Sequence, residues 1–107
     1  MTLSLKDRLP EGLEGLFWDT DPGLISMTAH QRFVVVRVLG RGSWEQIRIV
    51  RSRLGDDALR AELCATRARA LSAQRVRLWE LVLGLPSEVV DAWLQDPGRR
   101  QWEEAAR

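Results

Sequence analysis

One His, one Cys, one Lys and no Tyr stand among 107 residues, so general bases, nucleophiles and metal ligands are scarce. Cys64 has no second cysteine with which to close an intrachain disulfide, and its place in a helical pattern reads as a small buried hydrophobe rather than a reactive thiol. His30 has no Cys, Asp or Glu three or four positions further on to complete a ligand pair. Asp19 and Asp21 form a D-x-D pair, but no further carboxylate follows in a loop of the calcium-binding kind, and turn capping is the simpler role. Gly40-Arg41-Gly42 is a G-x-G fragment without the further glycine or the Lys-Ser/Thr of a phosphate loop. No apolar run reaches the roughly 18 residues that cross a bilayer. The densest, Phe33 to Leu39, is broken by Arg37. The opening residues, Met1 to Arg8, lack the basic-then-apolar order of a secretory signal, which makes the cytoplasm the expected location. The expectation is therefore a protein without catalytic residues, metal, cofactor or membrane contact. An enzyme would need a cleft that holds His30 against Asp19 or Asp21, which spacing alone does not show.

What is present is a globular composition with large apolar anchors. Apolar residues make up 45% and charged residues 29% of the chain, the proportions of an ordinary folded domain, and five Trp supply bulk. A single domain over residues 1–107 is expected, burying about 60 to 70% of its unfolded surface. Net charge is +1 but unevenly spread. Residues 1–40 carry four bases and five acids, 41–77 nine Arg and four acids, and 78–107 three Arg and six acids, or −1, +5 and −3. A basic middle of this kind suits a nucleic-acid patch or a docking surface for an acidic protein.

Hydrophobic spacing predicts an all-α fold, a compact bundle of five or six short helices. Pro10 opens a short helix on which Leu13, Leu16 and Phe17 share a face, weakened by Gly12 and Gly15. Asp19-Thr20-Asp21-Pro22-Gly23 is a turn. Thr28 with Gln31 forms a capping box for a helix running to Val38 or Leu39 and closed by Gly40-Arg41-Gly42. Val34-Val35-Val36 would also suit a strand, but no other segment offers it a partner. Ser43 with Gln46 opens a helix bearing Trp44, Ile47, Val50 and Leu54 until Gly55 caps it. Asp56 or Asp57 caps the next, with Leu59, Leu63 and Thr66 on one face. Ser72 begins a helix dense in Val76, Leu78, Trp79, Leu81, Val82 and Leu83, expected to be the most buried, and Gly84 ends it. Pro86 and Ser87 start a last helix with Val89, Val90, Trp93 and Leu94, before Asp96-Pro97-Gly98 breaks the chain ahead of Trp102.

Two sets of residues are candidates for contact with a partner. Arg48 and Arg51 fall on the side of their helix opposite its apolar stripe, and Arg60 and Arg67 lie seven positions apart on the next. Interspersed Glu45, Asp56, Asp57 and Glu62 could neutralise several of them at little energetic gain. Trp18, Trp44 and Trp79 read as core, whereas Trp93 and Trp102 near the chain end are divided between core and interface anchor.

Leu16-Phe17-Trp18-Asp19-Thr20-Asp21, Arg37-Val38-Leu39-Gly40-Arg41-Gly42, Trp44-Glu45-Gln46-Ile47, Ser72-Ala73 and Leu78 to Leu85 together resemble a family of small bacterial helical proteins. That family is of largely unassigned function and is often encoded beside nucleotidyltransferase-like toxins. The resemblance spans about residues 13–86 and leaves the last helix and tail, 87–107, outside it. It implies the antitoxin half of a toxin–antitoxin pair, neutralising a cognate nucleotidyltransferase-like toxin by direct binding. On that view Arg48, Arg51, Arg60 and Arg67 would enter an acidic cleft of the toxin, with Trp93 and Trp102 as hydrophobic anchors. The alternative is a small helical DNA-binding regulator, with a helix-turn-helix around Gly55 or Ser72 and Arg side chains on phosphate. Self-association into a homodimer is compatible with either.

Overall fold

A computed structural model describes residues 7–97, and Trp102 lies outside them. Five α-helices follow two short 3-10 turns, Glu14–Phe17 and Pro22–Leu24: α1 Gln31–Arg41, α2 Trp44–Leu54, α3 Asp56–Thr66, α4 Ala73–Leu83 and α5 Ser87–Leu94. The all-α expectation holds. Among the described residues, extended pairing is limited to one isolated antiparallel bridge between Arg8 and Ser26. The Val34–Val36 run is helical, and Val34 and Val35 are fully buried.

α1 is the central element, packing against α2, α3 and the Glu14–Phe17 turn, while α4 packs against α5. Its Val34, Val35, Val38 and Leu39 meet Leu13, Phe17, Ile47, Val50, Leu59 and Leu63 in one apolar cluster that also takes in Trp79, Val90 and Trp93. The C-terminal end of α1 is tied to α4 by polar bonds. The Leu39 carbonyl accepts from Trp79 Nε1 at 3.0 Å and Arg75 Nη1 at 3.3 Å, and the Gly42 carbonyl accepts from Arg75 Nη2 at 3.1 Å. These donors satisfy carbonyls that a helix end otherwise leaves orphaned. At Gly42 a Cβ would lie 2.5 Å from the Val38 carbonyl oxygen, so the tight α1–α2 junction admits glycine alone.

The α2, α4 and α5 boundaries agree with their sequence signals. Ser43 and Gln46 form the reciprocal capping box, the Ser72 hydroxyl accepts from the Arg75 N–H, and Gly84 ends α4 in the left-handed region. α2 and α3 are separated by Gly55 alone, whose φ of 86° disfavours any side chain. That places Gly55, not Asp56 or Asp57, at the N-cap of α3, with both acids in its first turn.

Other expectations are corrected. The chain after Pro10 does not form an α-helix: Gly12 has φ 98°, its N–H donates to Glu14 Oε2 at 2.9 Å, and only the 3-10 turn follows. Its apolar face survives, because Leu13 and Phe17 are fully buried. α1 starts at Gln31, with no capping bond from Thr28. The Thr28 N–H is taken by Asp7 Oδ1 at 2.9 Å, and Ser26 Oγ donates to Asp7 Oδ2 at 2.6 Å while accepting from the Ala29 N–H at 2.9 Å. A carboxylate about twenty positions away in sequence thus holds Met27–His30 as a turn. Cys64 is exposed rather than buried, on the outer side of α3 from Leu59 and Leu63. α4 is not buried all round, since Leu81 is 80% exposed.

Candidate partner-binding surface

Trp44 heads an open groove of about 580 Å³ on α2 and the start of α3, lined also by Glu45, Ile47, Arg48, Arg51, Ser52 and Asp56. The indole is 65% exposed, which corrects its assignment to the core. Steps of four and seven residues put Trp44, Arg48 and Arg51 on one helix face, while the buried stripe is Ile47 and Val50. Arg48 and Arg51 are therefore beside the exposed tryptophan.

The four arginines singled out from the sequence do not form one free cationic face. Arg48 pairs with Glu45 one turn away. Arg51 grips Asp56 with two parallel bonds, Nε–Oδ1 at 2.9 Å and Nη2–Oδ2 at 2.8 Å. That hydrogen-bonded pair holds the Asp56 carboxyl below its ordinary range and raises the guanidinium of Arg51. Arg60 donates Nε–H to the Leu83 carbonyl at 2.7 Å and pairs with Asp57, tying α3 to the end of α4. Arg67 reaches Asp96 at 3.4 Å, on the α5 side of the molecule, and its φ of 55° places it at the left-handed end of α3. Arg48 and Arg51 share the Trp44 groove, and Arg60 and Arg67 do not line it. Trp93 is 7% exposed and belongs to the core, so it is not available as an anchor.

A second region, outside the candidate contact residues though part of the family-like pattern, is built on Leu16-Phe17-Trp18-Asp19. Phe17 is buried and meets Phe33 edge-on, with ring centroids 5.4 Å apart. The Arg37 guanidinium lies over both rings, 5.3 Å from the Phe17 centroid and 4.6 Å from that of Phe33. From there Nη1 donates to the Leu16 carbonyl at 3.1 Å and to Asp19 Oδ1, and Nη2 donates to Asp19 Oδ2 at 3.1 Å. The bond from Arg37 keeps the Asp19 carboxyl below its ordinary range. Trp18, between these fixed residues, is 82% exposed, which corrects a second core assignment. Helical spacing from Leu13 and Phe17 would have excluded Trp18 from their face, a signal present in the sequence.

His30 has a local role, its Nδ1 accepting from the Ser26 N–H at 2.9 Å. Among the described residues no group of three or more His, Cys, Asp or Glu could hold a metal ion, and no helix is long and apolar enough to cross a membrane. As for a helix-turn-helix around Gly55 or Ser72, the single residue between α2 and α3 is shorter, and the connection 67–72 between α3 and α4 longer, than that motif's turn of about three to four residues.

None of the curated proteins and none of the solved structures matches the chain. A family model described as a family of unknown function (DUF6922) matches residues 13–63, a span that contains both exposed tryptophans, the Arg37 brace, α1, α2 and most of α3.

Proposed function

We propose that the protein acts by binding another protein stoichiometrically, and that it is the antitoxin of a nucleotidyltransferase-type toxin. The observation that carries the binding reading is the exposure of Trp18 and Trp44, two large apolar side chains that the fold leaves in solvent at 82% and 65%. Tryptophan is among the residue types most enriched where a few side chains dominate binding. The choice of toxin follows from the family resemblance of the Leu16–Asp21 box, the α1–α2 junction and α4. Neutralisation in this reading is steric: a folded surface, braced at Arg37 and capped at Ser43, covers the toxin.

Internal pairing of Arg48, Arg51, Arg60 and Arg67 favours this reading over a DNA-binding regulator, because guanidiniums already engaged by acids release fewer counterions from phosphate. The test is co-expression with the product of the adjacent gene, which this reading requires to be a nucleotidyltransferase-like toxin. Restored growth and a co-purifying complex are expected. Toxicity undiminished by the chain, with no complex on gel filtration, overturns the reading. A gel-shift titration across salt checks the regulator, which requires sequence-specific binding with a steep salt slope.

A further inference from the structure

The exposed indole of Trp18 is held between anchored neighbours. Phe17 on one side is sealed in the core, and Asp19 on the other is gripped by Arg37, which also takes the Leu16 carbonyl. The indole N–H has no hydrogen-bond partner among the described residues. An aromatic side chain on a backbone fixed on both sides loses little conformational freedom when a partner covers it, so more of its burial appears as affinity.

The chain segment that carries it is acidic, while Arg37 and Arg41 of α1 act, among the described residues, on Asp19 alone of its carboxylates. From Glu11 to Asp21 the chain carries Glu11, Glu14, Asp19 and Asp21 and no base. Asp19 is engaged by Arg37, but Glu11, Glu14 and Asp21 make no ion pair among the described residues. Glu14 and Asp21 accept only local backbone N–H groups, from Gly12 and Gly23.

We propose that Trp18 is the anchor by which the protein docks, and that its receptor is an apolar pocket with a basic rim on a partner protein. The proposal rests on the binding reading above and gives the partner surface a chemistry. An acidic cleft is disfavoured at this site, because unpaired carboxylates on both sides would repel each other across the contact. Cations around the pocket would pair with Glu11, Glu14 and Asp21 and accelerate encounter, while the pocket itself takes the indole.

The experiment is calorimetric titration of the purified product of the adjacent gene with the wild-type chain, with Trp18→Ala, and with the triple variant Glu11→Gln, Glu14→Gln, Asp21→Asn. Circular dichroism melts accompany it, and Trp18 is exposed enough for its removal to leave the fold intact. Trp18→Ala is expected to weaken binding by roughly thirtyfold or more. The triple variant is expected to weaken it by about tenfold at low salt and to flatten its salt dependence. A folded Trp18→Ala that binds like wild type overturns the anchor and leaves the binding reading standing. Tighter binding by the triple variant overturns the basic rim. No complex with wild type removes the binding reading and the anchor together. Sedimentation of the chain alone covers the remaining occupant: a dimer abolished by Trp18→Ala would assign the indole to a second copy and overturn the proposal.

Discussion

The α2–α3 surface and the Trp18 turn both expose a tryptophan, yet they handle charge in opposite ways. Around Trp44 each arginine of the groove has an acid in reach, Arg48 with Glu45 and Arg51 with Asp56, so neither guanidinium stands as a free charge there. Around Trp18 the stacked cation, Arg37, is consumed in bracing the backbone, and Glu11, Glu14 and Asp21 make no ion pair among the described residues. Net charge along a chain therefore does not identify the sign of a free surface. Pairing does.

Four substitutions test this contrast. The largest effect is expected from Phe17→Ala, which removes a fully buried ring and the seat of Arg37 and should lower stability by about 3–5 kcal/mol in denaturant unfolding. Arg37→Ala is next, at about 1–2 kcal/mol, from its stacking on two rings and its bond to the Leu16 carbonyl. It should also speed amide exchange at Trp18 and Asp19 while leaving α4 and α5 unchanged. Slow exchange retained at Trp18 would show that the brace is not what holds the turn. Trp44→Ala is expected to weaken binding of the proposed partner by about tenfold at most, less than Trp18→Ala, because the Trp44 helix face has no comparable clamp. Arg48→Ala should leave the melting temperature unchanged, since its pair with Glu45 is solvent-exposed.

Acid titration reaches both regions at once. Asp19 and Asp56 are each held below the ordinary carboxylate range by an arginine hydrogen bond, and Asp7 by Ser26 and Thr28. A depressed folded-state value means that the unfolded chain binds protons first, so the contribution is complete above the unfolded value of about 4 and is lost as pH falls through the folded value. The contribution of these three carboxylates to thermal stability should be level from pH 7 to 5 and fall below about pH 4. Asp19→Asn should reduce that slope, and an unchanged slope would remove Asp19 from the account.

Much of the fold was legible because its signals are local. Ser43 and Gln46, Ser72, Gly55, Gly84 and Pro86 each act within one turn of where they stand, and the structure places the helix ends there. The start of α1 was not legible, because Asp7 captures the Thr28 N–H from a distant position that no window of sequence contains. The surface was harder still. Periodicity tells which residues share a helix face but not whether another element covers it, and so Trp44 was assigned to a core that stops at Ile47. Cys64 and Leu81 were misplaced for the same reason, each on a helix whose outer side nothing packs against. The Arg positions were legible as residues but their partners were not, because Arg60 and Arg67 find the Leu83 carbonyl and Asp96 only through the packing of α3 on the C-terminal helices.

Recognition through Trp18 is tested most directly by one side-by-side titration of the product of the adjacent gene, the partner proposed above, with Trp18→Ala against a variant carrying alanine at Arg48, Arg51, Arg60 and Arg67. Recognition through the braced indole predicts a loss of roughly thirtyfold or more for the first and of no more than about threefold for a folded second. The reverse order, with the four-arginine variant losing the complex and Trp18→Ala retaining it, would contradict it.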